Sequence, residues 1–151
     1  MVDANILYAG ATWKRWPYEV LRHAAQKDFR LVLCQQVIDE ASENYLLDYP
    51  QNEGRFRRFL KRLHYELADD PTPKQVARYK DLLPDPDDVA IAVAAIYAGV
   101  DYFVSEDKHF TTKDERRREL HSKLNIMLSG TFLREVMGWT SEELEKVRGR
   151  T

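Results

Sequence analysis

The sequence predicts an α/β protein of three layers, with a mostly parallel, roughly five-stranded sheet between helices. Three observations predict it. Short apolar runs suited to strands alternate with longer segments of helical periodicity, the order that gives a parallel sheet covered on both faces. One helix, from Val89 to Val100, is apolar almost all round and so must be sandwiched between other elements. Carboxylates recur where strands end, the edge at which open α/β sheets bind ligands.

The elements follow in chain order. Val2-Asp3 reads as the end of a first strand, so short that it leaves open whether the start is mis-set, and Asn5–Ala11 as a turn or short helix. Pro17–Lys27 is helical, with Val20, Leu21 and Ala24 on one face. Arg30–Cys34 is a strand and Gln36–Leu47 a helix with Val37, Ala41 and Tyr45 as its inner stripe; Glu40 sits at the edge of that stripe. Gln51–Leu63 is a third helix that buries Phe56, Phe59, Leu60 and Leu63. Its Arg55, Arg58 and Arg62 stand three and four apart and form a basic face. Tyr65–Leu67 suits an edge strand, and Pro73–Leu83 a short helix ending at Pro84.

The stretch from Asp85 to Phe110 organises the rest. Asp85 caps a helix and Pro86 occupies its first position, where a missing N–H costs nothing. Asp87 and Asp88 complete an acidic first turn, and Gly99 ends the helix. Asp88, Ala92, Ala95 and Gly99 share one helical face, so Asp88 rather than Asp87 points beyond the strand ends. Tyr102–Val104 is a strand that surfaces at Ser105-Glu106-Asp107. Thr111–Leu120 is a charge-dense loop or exposed helix, Asn125–Leu128 the last strand and Gly130–Met137 a helix. Thr140-x-x-Glu143 is a capping box opening a final helix.

Composition bounds the function. A chain of 151 residues, 44% hydrophobic, suits one domain over residues 1–151. The net charge of −2 argues against broad, nonspecific coating of nucleic acid and leaves room for a local basic patch. Cys34 alone excludes an internal disulfide and any multi-cysteine zinc site, and His23, His64, His109 and His121 lack zinc-ligand spacing. No signal-peptide pattern is present, and the longest apolar run falls short of the roughly 20 residues that span a bilayer. A cytoplasmic protein without membrane association is the expectation.

Asp3, Glu40, Asp88 and Asp107 all fall near the strand ends. Brought together without compensation, they would raise one another's pKa and repel. A shared hard divalent cation, Mg²⁺ or Mn²⁺, resolves this because such ions prefer oxygen ligands.

Four segments carry a resemblance: Val2-Asp3-Ala4-Asn5-Ile6-Leu7; Val37-Ile38-Asp39-Glu40; Asp85-Pro86-Asp87-Asp88 through Gly99; and Val104-Ser105-Glu106-Asp107-Lys108. In this order they resemble the PIN-domain ribonucleases, the fold of VapC-like toxins in bacterial and archaeal toxin–antitoxin operons. The resemblance implies a catalytic, metal-binding quartet of Asp3, Glu40, Asp88 and Asp107, supported by the polar side chains of Asn5 and Ser105. It implies Mg²⁺- or Mn²⁺-dependent hydrolysis of single-stranded or loop RNA, leaving a 5′-phosphate and a 3′-hydroxyl. It also implies an antitoxin protein and a homodimer as partners. Arg55, Arg58 and Arg62, and with them Arg116, Arg117 and Arg118, are candidates for phosphate contacts.

The sequence departs from the family where a second aspartate often follows the fourth acid: here His109 stands, a side chain able to bind metal or phosphate but read as peripheral, and the charged segment after Phe110 is longer than usual. Rival readings fit less well. A haloacid-dehalogenase-type phosphatase needs an aspartate where this chain has Asn5, and only fragments of a response-regulator receiver pattern occur. The alternative that stays is a non-catalytic PIN-like RNA-binding or scaffold protein, which would normally have lost some of the four carboxylates.

Overall fold

The structure is a computed structural model that describes residues 1–148 and 150. Helices dominate it, and the extended segments between them are short and parallel. α1 (Ala4–Thr12) and α2 (Trp16–Ala25) lead to β1 (Val32–Leu33) and α3 (Gln35–Asp48). α4 (Glu53–Arg62), β2 (Glu66–Leu67) and α5 (Pro73–Arg78) follow. Then come α6 (Pro86–Ala98), β3 (Phe103–Val104), α7 (Lys108–Thr111), a 3₁₀ turn (Glu115–Arg117) and α8 (Arg118–Lys123). β4 (Ile126–Met127), α9 (Ser129–Glu135) and α10 (Ser141–Val147) complete the chain.

The expected five-stranded sheet is not formed as one ladder. β1 pairs with β2 and β3 with β4, both in parallel, and Val2 makes an isolated parallel bridge to Val104. The physical reason is length. Except at β2, each apolar run soon meets the cap of a helix: Asp3 caps α1, Cys34 caps α3, Asp107 caps α7 and Leu128 caps α9. Few residues are left to pair, yet the pairing is regular. The Val104 N–H donates to the Met1 carbonyl and the Asp3 N–H to the Val104 carbonyl, both at 2.9 Å. On the other side of β3, the Ser105 N–H donates to the Met127 carbonyl at 3.1 Å. Parallel pairing brings the C-terminal ends of Val2, β3 and β4 to one edge, where their helices begin.

The core threads through these segments. Val2, Leu33, Phe103 and Val104 are buried with Ile6 and Leu7 of α1, Val37 and Ala41 of α3, and Ile91 to Ala95 of α6. α6 is not buried all round as its composition suggested: its last turn turns outward, leaving Tyr97 and Ala98 exposed. Gly99 ends it in the left-handed region at φ 67°, the backbone glycine adopts without steric cost. Gly10 serves packing instead, because a Cβ there would lie 2.4 Å from the Leu21 side chain where α1 crosses α2. α5 stops at Arg78 rather than Leu83. Leu82 and Leu83 are buried in the turn beyond it, and the residue before Pro84 disfavours helix. The charged segment after Phe110 is neither one loop nor one helix but the 3₁₀ turn and α8. Both capping boxes, Thr72–Gln75 and Thr140–Glu143, are closed by reciprocal hydrogen bonds.

Candidate active site

Asp3 leaves the sheet edge directly into α1. One carboxylate oxygen, Oδ1, accepts the Ala4 N–H at 2.8 Å, and Oδ2 accepts the Ser105 hydroxyl at 2.7 Å. Ser105 is fully buried at the end of β3, and its oxygen also accepts the Asp107 N–H at 3.0 Å. That hydroxyl therefore ties the first carboxylate to the backbone of the fourth. Asn5 adds a second tie: its Oδ1 accepts the Glu106 N–H at 3.2 Å, and its amide nitrogen stands 3.4 Å from both Asp3 Oδ2 and Ser105 Oγ. Asp107 caps α7 by accepting the His109 N–H at 2.9 Å.

The other two carboxylates come from helices. Asp88 stands in the first turn of α6, half-buried, whereas Asp87 is exposed. Glu40 lies on α3, steadied by Gln36, whose side-chain amide donates to Glu40 Oε1 at 3.1 Å and to the Asp87 carbonyl at 2.9 Å. Gln36 thus fastens the start of α3 to the start of α6. Asp3, Asn5, Tyr8, Glu40, Asp88 and Asp107 line one cleft of about 450 Å³.

The family profile of the PIN domain matches residues 1–109. The chain belongs to the PIN domain family. No curated protein and no solved structure matches it. PIN domains share an α/β/α fold, are generally nucleases and typically use divalent metals. The matched span contains Asp3, Glu40, Asp88 and Asp107; β4, α8, α9 and α10 lie beyond it.

The electrostatics of this PIN domain suit a cation. Burial pushes the Asp3 carboxyl above the usual carboxylate range, opposed by its hydrogen bonds from Ser105, Ala4 and Asn5. Glu40 is raised by burial and, more weakly, by Asp3, Asp87 and Asp85. Asp88 is pushed up to about 6, first by burial, then by the charges of Asp107, Asp85 and Asp3. Among the described residues, the only basic side chain within ion-pairing distance of these acids is His109, whose Nδ1 is 3.6 Å from Asp88 Oδ2 and from Asp107 Oδ1. Clustered oxygen donors with unbalanced negative charge are the donor set of a hard divalent ion. Asp3, Glu40, Asp88 and Asp107 are the residues that would hold it.

The arginine candidates do not share this cleft. Arg55, Arg58 and Arg62 are exposed on α4 and line a separate cleft of about 520 Å³ with Trp13, Lys14 and Tyr18. Arg116 and Arg118 are exposed after α7, and Arg118 pairs with Glu115. Arg117 is committed to the backbone, donating from Nε to the His109 carbonyl at 2.9 Å. Two residues beside the acids stand outside the expected site. Gln36 was legible as an i,i+4 partner of Glu40. His109, read as peripheral, faces the acids because Asp107 caps α7 and the first turn of that helix sets the two side chains side by side.

Proposed function

We propose that this PIN domain is a Mg²⁺- or Mn²⁺-dependent endoribonuclease and the toxin of a toxin–antitoxin pair. One observation carries the reading: four carboxylates from distant parts of the chain share a cleft with no Lys or Arg paired to them among the described residues. A scaffold protein has no use for such repulsion. Asp3, Glu40 and Asp88 would hold the ion, with Asp107 as a further ligand to it or to a second ion. Such an ion polarises the scissile phosphate and lowers the pKa of a bound water. Ser105 and Asn5 keep the Asp3 carboxylate in one rotamer, so the ligand oxygen is oriented before anything binds. Gln36 does the same for Glu40. Substrate is single-stranded or loop RNA, held by backbone contacts that position without specifying sequence. An antitoxin protein and a second copy of the chain are the partners this role calls for.

The purified chain should cut single-stranded RNA with Mn²⁺ or Mg²⁺ to leave 5′-phosphate and 3′-hydroxyl ends, and EDTA should stop it. Asp3→Asn should lose cleavage while keeping its circular dichroism spectrum. Cleavage that persists in EDTA or in Asp3→Asn would overturn the reading. Induced expression should arrest growth, and the Asp3→Asn chain should not.

A further inference from the structure

The carboxylates account for a generic divalent site, but they leave His109 unexplained. Its backbone is pinned from both sides, the N–H donating to Asp107 Oδ1 at 2.9 Å and the carbonyl accepting from Arg117. Phe110 beside it is fully buried, its ring 4.9 Å from that of Phe103, so α7 cannot swing away from the cleft without opening the core. The imidazole itself is unengaged: among the described residues neither ring nitrogen has a hydrogen-bond partner. Nδ1 nevertheless lies 3.6 Å from an oxygen of Asp88 and 3.6 Å from one of Asp107. That is too long for a hydrogen bond. It is close to the separation of two donors around one ion, since bonds of about 2.1–2.2 Å at or above a right angle put donor atoms roughly 3–3.6 Å apart. All three donor atoms fall within 4.8 Å of one another.

Resting on the reading of the cleft as a metal site, we infer that His109 supplies a nitrogen ligand to that metal and tilts its choice from Mg²⁺ towards Mn²⁺ and the later transition ions. Mg²⁺ demands near-ideal octahedral oxygen coordination, whereas imidazole suits first-row transition metals. A histidine in place of a carboxylate also removes one negative charge from the donor set. It therefore weakens purely electrostatic capture of Mg²⁺ and leaves the nitrogen bond as the discriminating contact. His109 acts here as a ligand, which is a different role from a cation that merely screens Asp88 and Asp107.

The test measures binding rather than turnover. The full chain, freed of metal by dialysis, is titrated calorimetrically with Mn²⁺ and with Mg²⁺, alongside His109→Gln and Asp88→Asn. Pulsed electron paramagnetic resonance of the Mn²⁺ complex then reads directly bound ¹⁴N. Wild type should bind Mn²⁺ more tightly than Mg²⁺ and show nitrogen coupling. His109→Gln should lose that coupling and about 10-fold or more in Mn²⁺ affinity, with Mg²⁺ affinity changed much less. Wild-type Mn²⁺ binding without nitrogen coupling, and with unchanged affinity in His109→Gln, would overturn the inference and leave the carboxylate site standing. Failure of wild type to bind either ion, or full binding by Asp88→Asn, would overturn both.

Discussion

Asp87 and Asp88 are one residue and about 100° of helix apart, and that rotation divides their roles. Asp88 turns into the cleft; Asp87 stays exposed, its backbone held by Asp85 at the N–H and by Gln36 at the carbonyl. Because the Asp88 carboxyl sits at about 6 in the fold against 3.8 for the free group, the folded chain binds more protons than the unfolded one between those values. Its contribution to stability is therefore full below about 3.8 and is lost as pH rises through about 6. Asp88→Asn should remove this loss. In EDTA at pH 7 its Tm should rise by about 2 °C after discounting for solvent screening, and its decline between pH 4 and 7 should flatten. Metal-dependent cleavage should fall by more than about 100-fold. Asp87→Asn should keep activity within about twofold and lose about 0.3–1 kcal/mol of helix-dipole stabilisation. Equal activity losses, or an Asp88→Asn chain less stable at pH 7, would contradict this division. Asp3, Asp88 and Asp107 were legible because each stands next to a strand end or a helix start in the chain, whereas Glu40, inside α3, rested mainly on the resemblance. The Ser105 hydroxyl that joins Asp3 to Asp107 was legible only as a position in a motif. A hydrogen bond spanning 102 residues leaves no local pattern. His109 was legible only as a departure two residues after Asp107, because the spacing of the histidines carries no ligand pattern of its own.

At the level of elements, helices were more legible than strands. A 3.6-residue period repeats several times within α3 or α4, whereas a two-residue strand offers one alternation and its partner must be found elsewhere in the chain. The basic helix shows what such a period can establish. Arg55, Arg58 and Arg62 lie on the exposed side of α4, opposite buried Phe56 and the buried cap residue Leu63. What the period did not reveal is their neighbour, the end of α1. Trp13, at the cap of α1, is 37% exposed with the Arg15 guanidinium 5.4 Å above its ring, an aromatic surface on which a base can stack. The nine residues of α1 separate it from Asp3 by roughly 13 Å, about four stacked nucleotides. On the proposed function, a single strand held at the carboxylates has a basic, aromatic cleft within reach. Changing Arg55, Arg58 and Arg62 together to Glu should weaken single-stranded RNA binding at least about 10-fold. The slope of log affinity against log salt should become shallower by about 2, as three phosphate contacts are lost. Tm should change little, because none of the three belongs to an ion pair among the described residues. Trp13→Ala should cost about 1–3 kcal/mol of binding through stacking alone. Unchanged affinity and slope in the triple variant would move the strand's path to Arg116 and Arg118.

Taken whole, the molecule is held at the cleft by polar ties rather than by core alone. The four carboxylates ride on the start of α1, on α3, on the start of α6 and on the start of α7, elements whose apolar faces meet in one core cluster. The raised pKa values of Asp3, Glu40 and Asp88, due first to burial and then to neighbouring acids, mean that the fold holds these carboxyls against desolvation and repulsion together. An ion bound there relieves that repulsion and binds only the native arrangement, since the unfolded chain scatters the ligands. Stability should then rise by RT ln(1 + [M]/Kd), about 2.7 kcal/mol at 100 times Kd, or roughly 5–10 °C in Tm for a chain of this size. The increment should shrink as pH falls through about 6, because protons compete for Asp88 and its neighbours. Differential scanning fluorimetry across pH, with Mn²⁺ against EDTA, reads both effects in one series. Asp88→Asn, already relieved of its charge, should gain little from Mn²⁺ at any pH. An equal Mn²⁺ increment in Asp88→Asn would mean that the ion stabilises some other part of the surface, and the cleft would lose its claim to be the metal centre.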